Sequence, residues 1–163
     1  DHPWHQLERG ELKIQEARDA ILLLGRDRGS EVDLFEFFGA LSAIATGVVE
    51  PMVECARRLR GEGYRTAIVT NNVAEFAEYW RSSLPLDELF DLVVDSSQVG
   101  MRKPNPRIFT HTLESLGNVA PTRAAFLDDF HGNVTAATAL GMHGILVEDP
   151  SGAIEELERL LGR

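Results

Sequence analysis

The chain has 163 residues, 44% of them hydrophobic, with no repeat and no low-complexity stretch, which suits one globular domain with at most a small appendage. A formal charge of -10 argues against a nucleic-acid surface, because phosphate backbones favour clustered Lys and Arg, and no nucleic-acid partner is expected. No apolar run is long enough to span a bilayer and no basic-then-apolar leader opens the chain, so a cytoplasmic protein with no membrane partner is the expectation.

Residues 4–24 and 34–44 read as two or three helices with no strand between them. We assign residues 1–47 to a helical appendage and 48–163 to an α/β core; the alternative is a helical layer on the same core. From Pro51 onward helical periodicity alternates with short apolar runs bounded by turn residues. Pro51 to Arg60 reads as a helix closed by Gly61 and Gly63, followed by the strand "TAIVT" at Thr66 to Thr70. Val73 to Ser82 is helical, and "DLVVD" ending at Asp95 is the second strand. Asn105 is placed to cap a helix from Pro106 to Leu116. "AAFLD", ending at Asp128, is the third strand, Val134 to Leu140 the next helix, "HGILV" the fourth strand, and Ile154 to Leu161 the last helix. Apolar runs without alternation, separated by helices, predict a parallel sheet covered on both faces.

Ligands of such sheets bind beyond the carboxyl ends of the strands, so the residues just after each strand carry the argument. Thr70, Asn71 and Asn72 offer a hydroxyl, amides and free backbone N–H groups ahead of a helix, which suits an anion, although the same residues read equally as an ordinary helix cap. Lys103 precedes Pro104, which holds its backbone extended, against the common alternative of a solvated surface lysine. Asp128 and Asp129 are adjacent acids that repel each other and call for a compensating cation. Mg²⁺ accepts one or two carboxylates and completes its shell with water and phosphate. The competing reading of Asp129 is a cap for the following helix. Three such clusters at one sheet edge describe a phosphoryl-transfer site.

The segments "IVTNN", "RKPNPRIF" and "FLDD", in that order and followed by "NVTAATALGM", resemble the second, third and fourth motifs of the haloacid dehalogenase-like (HAD) hydrolase superfamily. Within it, the wording is most similar to the amino-terminal phosphatase-like domain of soluble epoxide hydrolases and to the corresponding domain of acyl-CoA dehydrogenase family member 10. The resemblance implies a Rossmann-like three-layer core with a parallel sheet, a small helical cap, and Mg²⁺-dependent phosphoryl transfer to an aspartate. By position, Thr70 and Asn71 would bind the phosphoryl group and Lys103 would neutralise nucleophile and phosphate. Asp129 would hold Mg²⁺, with Asp128 and Asn133 supporting the site from behind. Many relatives carry an acid where Asn133 stands, so the metal shell here would lean more on water.

The family's first motif, a strand ending in Asp-x-Asp that supplies the nucleophile, is absent from these residues. In the family that strand lies between those of Thr66 and Ala124. Its absence would leave a gap of about two strand spacings of 4.8 Å, lined by backbone groups costing roughly 1–3 kcal/mol each when buried and unpaired. Because a fold totals only about 5–15 kcal/mol, an additional segment upstream of Asp1 is expected, and the residues present are expected to be inactive alone.

The leading expectation is a phosphatase acting on a small phosphorylated metabolite, with a homodimer as the other expected partner. Alternatives are a noncatalytic scaffold or dimerisation module, a metal-independent 2-haloacid dehalogenase, which Asp129 argues against, and a phosphorelay receiver, in which the acidic pair comes first in the chain. Cys55 reads as a buried structural thiol, and His2 and His5 as solvent-facing. Asn133 fits a glycosylation triplet that we discount. Trp4, Phe35, Phe37 and Phe38 are expected to pack the cap.

Overall fold

The computed structural model describes residues 1–27, 29–30, 32–44 and 47–163. The chain opens with α1 (Pro3–Glu8), α2 (Ile14–Arg26) and α3 (Leu34–Ile44). Proline in the first turn of α1 loses no helical hydrogen bond there, and His2 Nδ1 accepts from the Trp4 N–H at 3.2 Å. α4 (Glu50–Gly61) comes next, and Gly63, at φ 90°, makes the left-handed turn that leads toward the strands. β1 (Ala67–Thr70) is followed by a short 3-10 turn at Ala74–Phe76 and then by α5 (Ala77–Ser82). The single helix expected from Val73 to Ser82 is therefore broken, with Phe76 outside helical geometry at φ -100° and ψ 0°. α6 (Leu86–Leu89), β2 (Leu92–Asp95), α7 (Ser96–Val99), α8 (Pro106–Ser115), β3 (Ala125–Asp128), α9 (His131–Ala139), β4 (His143–Leu146) and α10 (Pro150–Leu160) complete the order.

β1 pairs in parallel with β2, placing Thr70 opposite Asp95, and β3 pairs in parallel with β4, placing Asp128 opposite Leu146. Among the described residues the strands form these two separate pairs rather than one continuous sheet, and β1 is not hydrogen-bonded to β3. The break falls at the position where the sequence leads one to expect a missing strand.

Side chains bridge what the backbone does not. Val94 of β2, Phe126 of β3, Ala137 of α9 and the Ile108, Phe109 and Leu113 face of α8 form one buried cluster, in which the Phe109 and Phe126 rings meet edge to face at 4.9 Å. Ile145 of β4 faces a second cluster with Cys55 of α4 and Ala153 and Leu157 of α10, against which Ala125 and Leu127 also pack. Successive residues of β3 thus point to opposite layers, so this strand is covered on both faces and has no polar alternation. α9 lies hard against β4, where a Cβ at Gly144 would collide with Thr138 and Val134.

A third cluster joins Leu7, Ala17 and Leu34 of the first three helices to Val73, just beyond β1. Trp4 stacks edge-on with Phe37 and lies beside Phe38, which meets Phe76 at 4.9 Å. Phe35 and Phe37 remain about half exposed, and the Arg18 guanidinium covers the Phe35 ring. Cys55 is buried as expected, and burial pushes its thiol pKa up. Among the described residues no helix is long and apolar enough to cross a membrane.

Candidate functional site

The residues at the strand ends are tied into one network. Beyond β1, Asn71 turns its side chain onto the main chain of Lys103: Nδ2 donates to the Lys103 carbonyl at 3.0 Å, and Oδ1 accepts from the Lys103 N–H at 2.8 Å. The peptide between Lys103 and Pro104 is cis. Asn105 then caps α8 by accepting from the Arg107 N–H at 3.0 Å, as its position before Pro106 predicts.

The Lys103 side chain runs inward. Its Nζ donates to Asp128 Oδ2 at 2.7 Å, with the two side chains only 11% and 6% exposed. The ammonium also lies 5.7 Å from the Phe126 ring centroid. Asp128 is fully engaged: Oδ1 accepts from the Phe130 N–H at 2.9 Å and from Asn133 Nδ2 at 2.8 Å. A charged pair removed from water in this way costs less when further hydrogen bonds satisfy it, and here both oxygens of Asp128 accept, Oδ1 from two donors and Oδ2 from Lys103. Asn133 is itself buried, which removes it from glycosylation.

Asp129 is exposed, with no hydrogen bond or ion pair among the described residues. It does not cap α9, whose N-cap position is occupied by Phe130 without a side-chain bond. That removes the cap reading and leaves a free, exposed carboxylate on the residue that follows the one held by Lys103. Thr70 sits at the other end of the network, its hydroxyl reaching the Asn71 carbonyl at only 3.5 Å, a weak contact that leaves it available.

The anion cradle expected after β1 needs correction. The Asn71 and Asn72 amides are committed to Lys103 and to Asp95 Oδ2, and the Asn72 N–H donates to Ser96 Oγ at 2.9 Å. The next element is a three-residue 3-10 turn, not a helix N-terminus able to attract an anion. The groups left for an anion are the Thr70 hydroxyl and the unused protons of Lys103.

A second polar cluster behind β2 escapes the sequence reading. Asp95 is completely buried, caps α7 through the Ser97 N–H at 3.0 Å and accepts from Asn72 Nδ2 at 2.9 Å. Ser96 Oγ donates to the Glu8 carbonyl at 2.5 Å, and Arg102 Nε donates to Glu8 Oε2 at 2.5 Å. The legible signal is Asp95-Ser-Ser-Gln closing on Gly100, an N-cap and C-cap pair around one turn. The bonds to Glu8 span 88 and 94 residues and have no local signature.

Two surface concavities, one lined by Met101, Pro106, Arg107, Thr110, His111 and Glu114 and the other by Leu113, Asn118 and Leu140 among others, lie along α8, and neither is lined by Thr70, Lys103, Asp128 or Asp129. His2 is exposed, as expected, while His5 is partly covered. Among the described residues no group of three or more His, Cys, Asp or Glu is arranged around a metal position. A hard cation here would rest on Asp129, with Asp128 held by Lys103.

A family model described as haloacid dehalogenase-like hydrolase matches residues 4–141. The chain is 36% identical over 163 residues to acyl-CoA dehydrogenase family member 10 of Mus musculus, covering 98% of this chain and 15% of that protein. It is 31% identical to bifunctional epoxide hydrolase 2 of Rattus norvegicus, covering 98% and 31%. It is 32% identical to sesquiterpene phosphatase astK of Aspergillus oryzae, covering 98% and 79%. The chain thus spans under a third of the first two relatives. Among solved structures, an HAD-like family hydrolase from Porphyromonas gingivalis superposes with a TM-score of 0.74 at 26% identity over 99% of this chain and 79% of that one. An HAD family enzyme of Bacteroides thetaiotaomicron, solved with magnesium and inorganic phosphate, shares the fold with a TM-score of 0.65 at 24% identity over 87% and 72% of the two chains. The ordered strand-end motifs and a family match running from Trp4 to Gly141 agree: the chain belongs to the haloacid dehalogenase-like hydrolase family.

Proposed function

We propose that this chain carries the cap and most of the active site of a Mg²⁺-dependent phosphatase acting on a small phosphorylated molecule. The observation that carries the reading is the run of bonds from Asn71 through Lys103 to Asp128 and Asn133, which gathers the ends of β1 and β3 and the loop beyond β2.

Each residue then has a task it can perform. Thr70 donates its hydroxyl to a phosphoryl oxygen. Lys103 brings a cation, fixed at both ends of its residue, against the negative charge of the phosphoryl group. Preorganised charge of this kind acts without reorganising when the reaction occurs, and removing it costs orders of magnitude in rate. Asp128 orients the ammonium, and Asn133 orients Asp128.

The donor set fits Mg²⁺: an exposed carboxylate on Asp129 has both oxygens free, and this ion needs only one or two carboxylates from protein. When bound, Mg²⁺ supplies charge neutralisation for phosphoryl oxygens. The break between β1 and β3 matches a strand bearing the carboxylate nucleophile, seated between them with helices α1–α3 as cap. The phosphatase relative that this chain covers to 79%, and the fold neighbour solved with magnesium and phosphate, support the same reading.

Hydrolysis of p-nitrophenyl phosphate by the full-length protein, with and without Mg²⁺, tests it. Lys103→Ala should lower turnover by a few powers of ten. Full activity in that variant, or activity surviving complete chelation, overturns the phosphatase reading.

A further inference from the structure

We propose that Glu8 is a positioning residue for Lys103, acting through Arg102; the inference rests on the phosphatase reading for its catalytic consequence but on geometry for its physical content. Lys103 is held in place by Asn71 on its main chain and Asp128 on its ammonium. The residue immediately before it, Arg102, points the other way and donates Nε to Glu8 Oε2 at 2.5 Å. The two side chains are 20% and 9% exposed, so the pair is largely out of water.

Glu8 is anchored in turn. Its main-chain carbonyl accepts from Ser96 Oγ, whose residue is completely buried and whose oxygen also accepts from the Asn72 N–H. Asp95, the preceding residue, accepts from the Asn72 side chain. The last residue of α1, the first residues beyond β2 and the turn beyond β1 are thereby one hydrogen-bonded block. Arg102 and Lys103 are adjacent links of a single loop, one fixed to that block and the other to Asp128.

This arrangement constrains more than α1. An acid buried in a chain of net charge -10 has no stabilising reason to be there unless it is paired, and its partner could have come from any element. The partner it has is the residue next to the lysine on which the proposed chemistry depends. With the pair intact, a displacement of Lys103 toward solvent must also pull Arg102 off Glu8. Without it, the loop loses its tie to α1 and keeps only Asn71 on the Lys103 main chain, Asp128 on the ammonium and the packing of Met101, and the ammonium samples positions away from Asp128 more often.

The experiment reads Lys103 directly. Proton–nitrogen correlation of side-chain ammonium groups detects lysines whose protons are protected by a fixed hydrogen bond, and the Lys103 signal is assigned by its loss in Lys103→Arg. In the full-length protein, Glu8→Ala should reduce that signal to a fifth or less, with kcat toward p-nitrophenyl phosphate falling about tenfold and KM within twofold. Arg102→Lys, which keeps a cation able to reach Glu8, should recover at least half of the signal. Glu8→Gln, closest in shape, provides the same test if the alanine variant does not fold. Leu7→Ala weakens the packing of α1 without touching the pair, and should keep the signal. A Lys103 signal and kcat both unchanged in Glu8→Ala overturn the proposal. So does loss of the signal in Leu7→Ala equal to that in Glu8→Ala at matched loss of thermal stability. If the protein hydrolyses no phosphate ester, the phosphatase reading fails while the signal still decides whether Glu8 positions Lys103.

Discussion

Asn71 grips Lys103 by both of its main-chain polar groups, accepting from the N–H at 2.8 Å and donating to the carbonyl at 3.0 Å. The pairing is reciprocal, as across a strand ladder, yet one side of it is a side chain. Asn71→Ala leaves two partly buried backbone groups unpaired, at no more than about 1–3 kcal/mol each. Asn71→Asp keeps the acceptor and loses the donor, so it should fall between wild type and alanine. Chemical denaturation measures the first effect, and phosphatase turnover should fall with it, because the lysine loses its fixed backbone.

The pair of Lys103 and Asp128 predicts an asymmetry. Removing either partner abandons a charge with almost no access to water, which costs about 3–5 kcal/mol. Lys103→Met and Asp128→Asn should each destabilise strongly, while the double variant should recover a large part of the loss and remain inactive. Thermal unfolding of the three proteins checks this; strictly additive losses would show that the two groups are not coupled.

The range of each interaction decides whether it is legible in sequence. The strands are readable to within a residue because apolar runs between turn signals are local, and the Asp91 N–H bonds the Thr66 carbonyl just outside β1, where the run "TAIVT" begins. The cap of α8 by Asn105 is local for the same reason. Thr70, Lys103, Asp128 and Asp129 are identifiable as candidates because each ends a strand or lies in the segment that follows one. Glu8, Ser96 and Arg102 are not, since they are defined by proximity across 88 and 94 residues. The Asn71 and Asn72 amides look free in sequence because their partners lie 32 and 23 residues away, on another loop and another strand.

As the proposed Mg²⁺ ligand, Asp129 offers a test that separates metal binding from stability. The side chain is exposed and unpaired among the described residues, so Asp129→Asn should leave the unfolding temperature unchanged within a degree or two. Calorimetric titration with Mg²⁺ should show affinity reduced by tenfold or more, since one of the few protein ligands loses its charge. A variant that binds Mg²⁺ normally would remove Asp129 from the metal site.

Asp33 gives the fold a defined acid sensitivity. Its carboxylate accepts from Arg18 Nη2 at 2.5 Å and from the Phe35 N–H at 2.8 Å, so one group both pairs with α2 and caps the start of α3. The Arg18 hydrogen bonds, followed by the Phe35 N–H, hold its pKa below the ordinary 3.8. A depressed folded-state value means that the unfolded chain binds the proton more readily. The stabilisation is therefore complete above pH 3.8 and is lost as pH falls through the lower folded value. Asp33→Asn retains an acceptor for the cap but not the ion pair, so its stability should be lower at neutral pH and flatter across that acid window. Because both side chains are partly exposed, raising the salt concentration should shrink the difference between the two proteins. Stability curves of equal slope below about pH 4 would show that Asp33 titrates alike in the folded and unfolded chain.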